Sequence, residues 1–269
     1  MAGKINSEAE PSAETFSQAE RQAYITEQVL KHGFVQVDEL AEFLGVSRMT
    51  IYRDFDDLEK QGVLRKVRNG ATAMPSSHFE SNVQFRLNRQ APEKEAMARL
   101  ALDWIEPGSA VILDEATTLL PLARRLPDIA PLTVITNFLP IVEELKSHKD
   151  IHLVALGGEY LPRFDTFTGL LTEQTLAGLH ADLYFTSTSA VANAAAYHPD
   201  QQVVSVKRAM MRRATQRYLL VDHTKFNKTA LHEFASLASF TAVIVDAGID
   251  PIEIKNMRAA GVRVEVAPL

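Results

Sequence analysis

Cysteine is absent from this 269-residue chain, which removes disulfide staples and thiolate metal sites from consideration. The chain also lacks an apolar run long enough to cross a bilayer and a basic-then-apolar leader at its start, so the expected compartment is the cytoplasm. Positive charge is in deficit: 28 lysines and arginines against 34 acids give a net charge of −6, the wrong sign for a surface that grips polyanions everywhere. The eight histidines show no paired metal spacing, and no serine stands in a G-x-S-x-G elbow. Neither a cofactor nor a metal is expected.

What positive charge there is lies close together. Arg48, Arg53, Arg65, Lys66 and Arg68 fall within one short span, while acids crowd the first twenty positions and the later two thirds. Screening limits the reach of a charge to about 10 Å at moderate salt, so local sign can outweigh net sign. Within that span, Ser47 is of the residue type that caps a helix, and Ile51, Phe55 and Leu58 recur at i, i+4, i+7 behind it. The apolar stripe turns inward and leaves Arg48, Met49, Tyr52 and Arg53 on the other face, towards the end that recognition helices insert into a major groove. An ordinary amphipathic surface helix would carry such a face too. The flanking residues separate the two readings.

Residues 1–18 are rich in Ser, Glu and Ala without a period and read as a disordered lead-in. A helix is predicted from Ala19 to His32, with Tyr24, Ile25, Val29 and Leu30 on one face and Gly33 to stop it. Phe34 to Val37 read as a short extended link, after which Asp38 is placed to cap a second helix carrying Leu40, Phe43 and Leu44. Gly45-Val46-Ser47 then makes a tight turn into the basic helix, the helix-turn-helix arrangement. Behind that helix, Asn69-Gly70 lies between two short extended runs and signals a β-hairpin bearing Arg65, Lys66 and Arg68. A basic hairpin directly after a recognition helix is a wing.

These pieces resemble the DeoR family of bacterial transcriptional regulators. The resemblance is carried by Val37-Asp38-Glu39-Leu40-Ala41, Leu44-Gly45-Val46-Ser47, Thr50-Ile51-Tyr52-Arg53-Asp54, Leu58-Glu59-Lys60-Gln61-Gly62 and Arg68-Asn69-Gly70-Ala71. It implies a winged helix-turn-helix ahead of a sugar-sensing domain. The partner so implied is double-stranded operator DNA, met by a homodimer or tetramer through Ser47, Arg48, Met49, Thr50, Tyr52, Arg53, Arg65, Lys66, Arg68 and Asn69. The family usually has a second arginine where Tyr52 stands, which implies an altered base preference.

The DNA-binding domain is expected at 19–73 and a linker at 74–92, where Pro, Ser, Asn and Gln gather. From 93 to 269 short apolar runs alternate with amphipathic stretches: Val111–Leu113, Thr133–Ile135, Ile151–Leu156, Leu183–Phe185, Tyr218–Val221 and Ala242–Val245. That is an α/β domain with a mostly parallel sheet. Ligands in such sheets bind off the carboxyl ends of the strands, where polar clusters collect here: Asp114 to Thr118, Thr136-Asn137, Gly157-Gly158, Thr186 to Ser189, and Asp222 to Lys225. Thr117 and Thr118 precede a helix start with Pro121 in its first turn, a natural anion site, while Lys207 and Lys225 are candidate charges for a phosphate and Asp114 an acceptor for hydroxyls.

Family resemblance extends to this half at Leu113-Asp114, Thr117-Thr118, Thr136-Asn137, Gly157-Gly158, Asp182, Lys207-Arg208 and Asp222 with Lys225-Phe226. It implies an isomerase-like fold used to sense a phosphorylated sugar or polyol. The effector residues so expected are Asp114, Glu115, Ala116, Thr117, Thr118, Thr136, Asn137, Gly157, Gly158, Lys207, Asp222 and Lys225. Ala116, Ser187 and Ala190 stand where glycines are usual, and their Cβ atoms take up space a phosphate would use, so an altered effector or none is expected. The competing expectation is a sugar-phosphate isomerase with a winged-helix interaction domain.

Overall fold

The computed structural model describes residues 16–60, 62–73 and 83–269. Two compact units emerge, 1–79 and 80–269.

In the first unit, helix α1 (Gln18–His32) starts earlier than expected, because Ser17 and Glu20 form a reciprocal cap. Of the expected lead-in, residues 1–15 lie outside the described residues, as does the side chain of Leu30. Ile25 and Val29 are fully buried, and Tyr24 stacks on Phe43 with ring centroids 4.6 Å apart. The link at Phe34–Gln36 is a strand, β1, and helix α2 (Val37–Phe43) follows with Gln36 as its uncapped start. Asp38 is therefore not the cap expected of it. It sits in the first turn and pairs instead with Arg48 at 2.9 Å. Helix α3 (Arg48–Lys60) buries Ile51, Phe55 and Leu58 as predicted, and also Asp54, which Arg21 of α1 holds at 2.8 Å.

Strands β2 (Leu64–Val67) and β3 (Gly70–Ala73) form the wing, and β3 pairs with β1 on its other edge. Val67 pairs with Gly70, so the turn residues are Arg68 and Asn69, not Asn69-Gly70. Only Asn69 takes positive φ, at 62°. Gly70 is required for a different reason: a Cβ there would stand 2.2 Å from the Val35 carbonyl oxygen and 2.8 Å from the Phe34 ring.

The second unit opens with helices α4 (Val83–Asn88) and α5 (Ala91–Ala101). Val83 is buried and Leu87 packs against the same core, an i, i+4 pair that the polar composition of 74–92 concealed. The expected linker is therefore helical from Val83 onward, and residues 74–82 lie outside the described residues.

A seven-stranded sheet follows. Its strands are β4 (Ala110–Leu113), β5 (Leu132–Thr136), β6 (Ile151–Ala155), β9 (Ala181–Thr186), β12 (Ala214–Val221), β14 (Ala242–Asp246) and β15 (Val264–Ala267). Every pairing between them is parallel, in the order β15-β14-β12-β9-β4-β5-β6. One buried cluster packs α5, Leu119 to Leu126 and helix α7 (Leu139–Leu145) on one face; α6 (Leu120–Arg125) lies within that stretch. The other cluster packs helices α8 (Leu170–Ala177), α9 (Gln201–Met211) and α10 (Pro251–Ala259) on the opposite face. Two small antiparallel additions stand outside the main sheet: β7 (Glu159–Leu161) with β8 (Thr166–Thr168), and β10 (Ala190–Ala192) with β11 (Ala195–His198) and β13 (His232–Ser236). Strand order grows one way from β4 to β5 and β6, and the other way from β9 to β12. The switch point thus falls between β4 and β9, where such folds open a crevice at the carboxyl ends.

Candidate functional site

On the first unit, Ser47 accepts the Thr50 N–H at 3.1 Å and its hydroxyl meets that of Thr50 at 2.9 Å, fixing the start of α3. Arg48, Met49 and Arg53 are exposed, with Met49 at 62%. Tyr52 is half-buried, its ring edge-on to Phe55 with centroids 6.3 Å apart. The face is thus presented to solvent. On the wing, Arg65, Lys66, Arg68 and Asn69 are exposed, but the Lys66 ammonium is bound by Asp56 and lies 3.6 Å from Glu59. Arg65 and Arg68 are thereby the less encumbered cations in the hairpin.

The second unit carries a solvent-open pocket at the switch point. Its walls include Lys94, Glu115, Ala116, Thr117, Thr118, Ser187, His198, Lys207, Asp222 and Lys225, with Arg86 and Arg89 from α4 and the turn after it. Beneath it lies a buried polar knot. Lys207 of α9 donates to Asp114 Oδ2 at 2.7 Å and to Glu115 Oε1 at 2.8 Å, and to the Ser187 carbonyl at 3.2 Å. Tyr184 donates its hydroxyl to Asp114 Oδ2 at 2.6 Å, and Thr186 donates to the same oxygen. His198 Nε2 stands 4.0 Å from Glu115 Oε1.

Burial governs the electrostatics. It pushes the Glu115 carboxyl above its ordinary pKa, with Lys207 opposing and Asp114 adding to the rise. For Lys207, burial works against the charged form, yet the two carboxylates outweigh it and leave the ammonium above its usual value. Burial, then the nearby Lys207 charge, holds His198 well below its ordinary value, so its ring is neutral. Lys94 is shifted the opposite way: burial, then the Arg86 charge, lowers it to about 7. Its Nζ donates to Thr117 Oγ1 at 3.2 Å and to the Arg86 carbonyl.

The structure separates the expected effector residues into two groups. Glu115, Ala116, Thr117, Thr118, Lys207, Asp222 and Lys225 line the pocket, and Asp114 supports it from behind. Thr136, Asn137, Gly157 and Gly158 do not line it. Thr136 Oγ1 takes the Phe138 N–H at 3.1 Å, Asn137 donates to the Phe167 carbonyl at 2.8 Å, and the Gly157 carbonyl accepts from Thr172 at 2.7 Å. A Cβ on Gly158 would meet Thr172 Oγ1 at 2.2 Å. These four shape the β7–β8 excursion. The helix start at Thr117 is also weaker than expected, being a 3₁₀ turn ahead of a six-residue helix. Ala116 is extended, at φ −94° and ψ 124°, and neither Ser187 nor Ala190 takes positive φ, so none of the three is strained for want of glycine.

Sequence reasoning missed Arg86, Arg89, Lys94 and His198. The arginines fell in the stretch read as linker. Lys94 did leave a signal: with Met97, Ala98 and Ala101 it forms an i, i+3, i+4, i+7 stripe, so the lysine sits on the buried face of α5. For His198, on short strand β11, no pattern existed to find.

The model for a DeoR-like helix-turn-helix domain matches residues 21–77, and that for the DeoR C-terminal sensor domain matches residues 89–247. The uncharacterized HTH-type transcriptional regulator YulB of Bacillus subtilis is 32% identical over 253 residues, covering 93% of this chain and 97% of that protein. A lactose phosphotransferase system repressor of Staphylococcus epidermidis is 32% identical over 225 residues, or 82% of this chain and 89% of the other. The putative aga operon transcriptional repressor of Escherichia coli O157:H7 is 28% identical over 263 residues, covering 96% of this chain and 97% of its own length. With a winged helix-turn-helix and a sensor domain matched in that order, this chain belongs to the DeoR family of DNA-binding transcriptional regulators.

Proposed function

We propose that this regulator represses a carbohydrate-metabolism operon and is released from its operator, or tightened on it, by a phosphorylated sugar or polyol held in the switch-point pocket. The observation that carries the reading is the pocket wall itself, where Lys94 and Lys225 stand with the hydroxyls of Thr117, Thr118 and Thr224 around a cavity backed by buried carboxylates. Cations and hydroxyl donors suit phosphate, and carboxylates suit sugar hydroxyls. Relatives named for lactose and aga operons support the carbohydrate assignment.

On DNA, Arg48, Met49, Tyr52 and Arg53 read base edges while Arg65 and Arg68 hold phosphates, and two or four copies bind a repeated operator. Ser47, Thr50, Lys66 and Asn69 position these groups. Ala116 and Ser187 narrow the cradle, which favours an effector other than the commonest hexose phosphates. The protein acts in the cytoplasm and catalyses no reaction. No helix among the described residues is long and apolar enough to cross a membrane.

The test is selection of bound sequences from a genomic DNA pool, with and without a panel of sugar phosphates. An enriched operator whose yield changes with one phosphorylated compound is the expected result. Turnover of pentose or hexose phosphates together with salt-insensitive, unselective DNA binding would favour the isomerase reading instead.

A further inference from the structure

The two arginines on the outer face of α3 are held differently. Arg48 opens the helix, and its Nε stands 2.9 Å from Asp38 Oδ1 in the first turn of α2. Arg53, further along, pairs with no acid among the described residues. Both side chains of the Arg48–Asp38 pair are mostly exposed, at 58% and 63%, so water screens the attraction and the pair does little for stability. Asp38 is not needed by its own helix either. It does not cap α2, and the favourable placing of an acid in a first turn is already supplied by Glu39. Glu39 is exposed and pairs with no cation among the described residues. An unneeded carboxylate beside the end of a helix that enters a major groove is a liability, because phosphates repel it, unless it acts on the arginine.

Resting on the reading that Arg48 meets base edges, we propose that Asp38 is a specificity-determining residue that keeps Arg48 for bases and off the phosphates of unrelated DNA. A loose arginine on a long, flexible side chain neutralises whichever phosphate is nearest, on any sequence. Paired with Asp38, the guanidinium stays at the start of α3. To reach a phosphate it must leave its carboxylate or carry that carboxylate towards a polyanion, and either move costs. A guanine edge imposes no such choice, since O6 and N7 are neutral acceptors and arginine has donors enough to meet them while it keeps the acid.

The test is fluorescence anisotropy of the full chain on a selected operator duplex and on a scrambled duplex of the same composition, over a salt series, with Asp38→Asn, Glu39→Gln and Arg48→Ala. Asp38→Asn should bind the scrambled duplex about tenfold tighter near about 0.1 M salt, with a salt slope steeper by about one, the effect of one more cation on a phosphate. The operator should gain less, so the ratio of the two affinities should fall by about threefold or more. Glu39→Gln removes the same charge from the same turn without breaking a pair, and should leave that ratio as it was. A ratio that Asp38→Asn leaves unchanged or raises, or that Glu39→Gln lowers as far, overturns the role of Asp38 and leaves that of Arg48 intact. In Arg48→Ala the ratio should fall, and adding Asp38→Asn should lower it no further. If Arg48→Ala leaves the ratio unchanged, the underlying reading of Arg48 fails and the role of Asp38 falls with it.

Discussion

Lys207 is the residue on which the sensor unit's interior depends, because it is the buried ammonium that meets both of the buried carboxylates Asp114 and Glu115. Lys207→Met keeps the length of the side chain and leaves two buried carboxylates facing each other; it should cost about 3–5 kcal/mol in urea unfolding of the sensor unit. A loss under about 1 kcal/mol would mean that the knot is solvated. Lys94 gives a pH signature. Unfolded, this lysine holds its proton up to its ordinary value of 10.5, whereas the folded chain releases it near 7, so between those values the unfolded state binds more protons. Its contribution to stability therefore grows as pH climbs from about 7 and is lost as pH falls back. An anion beside it reverses the preference, so binding of a phosphorylated effector should take up a proton above pH 7 and weaken as pH rises. Calorimetry in two buffers of different ionisation enthalpy reads that uptake, and buffer-independent heats would exclude Lys94 from the phosphate end. The position of Lys94 was legible in its stripe of apolar neighbours, but its function was not, since one lysine on a buried face has no chemistry until the fold supplies Thr117 and Asp222 around it.

At the scale of elements, α3 and the wing were the most legible parts of the chain. A capped start, an i, i+4, i+7 stripe and an Asn-Gly pair are local signals, and local signals survive without knowledge of the rest. The details that escaped are those set by a second element. Gly70 is needed by β1 lying against it, and Asp38 serves Arg48 rather than the helix end. Gly70→Ala should therefore destabilise the winged domain by about 1–3 kcal/mol through the clash with Val35, a change that thermal melting of the domain would register. In the sensor unit six strands of the main sheet were visible as apolar runs, while β15, with Glu265 between its valines, and the small antiparallel strands β7, β8, β10, β11 and β13 were not. These last are segments of three to five residues, too short to show a period, and a polar cluster at a strand end, such as Thr136-Asn137 or Gly157-Gly158, reads the same whether it faces a pocket or stitches a hairpin. On the wing, Arg68→Ala should weaken operator binding and lower the salt slope by about one, while Lys66→Ala should do less, because Asp56 and Glu59 already engage that ammonium. Equal losses in fluorescence-anisotropy titrations over a salt series would show that Lys66 leaves its acids for DNA.

For the whole molecule, a net charge of −6 confines DNA attraction to the basic face of one unit, so affinity must fall steeply with salt although the protein is acidic. The same reasoning assigns the two units different tasks: an exposed arginine-bearing helix has no pocket for a metabolite, and a pocket backed by carboxylates has no surface for a duplex. Arg53→Ala should cost on the order of 1–3 kcal/mol per half-site if its guanidinium meets a base, without changing effector affinity in calorimetry. The most direct measurement is anisotropy of a selected operator duplex titrated with the full chain, at low and moderate salt, with and without each of a panel of phosphorylated sugars. Sequence-selective binding that weakens with salt, is weakened in Arg53→Ala and shifts when one such compound is added is the expected result. Binding that ignores sequence, is unchanged by the loss of Arg53 and is indifferent to every phosphorylated sugar would contradict it.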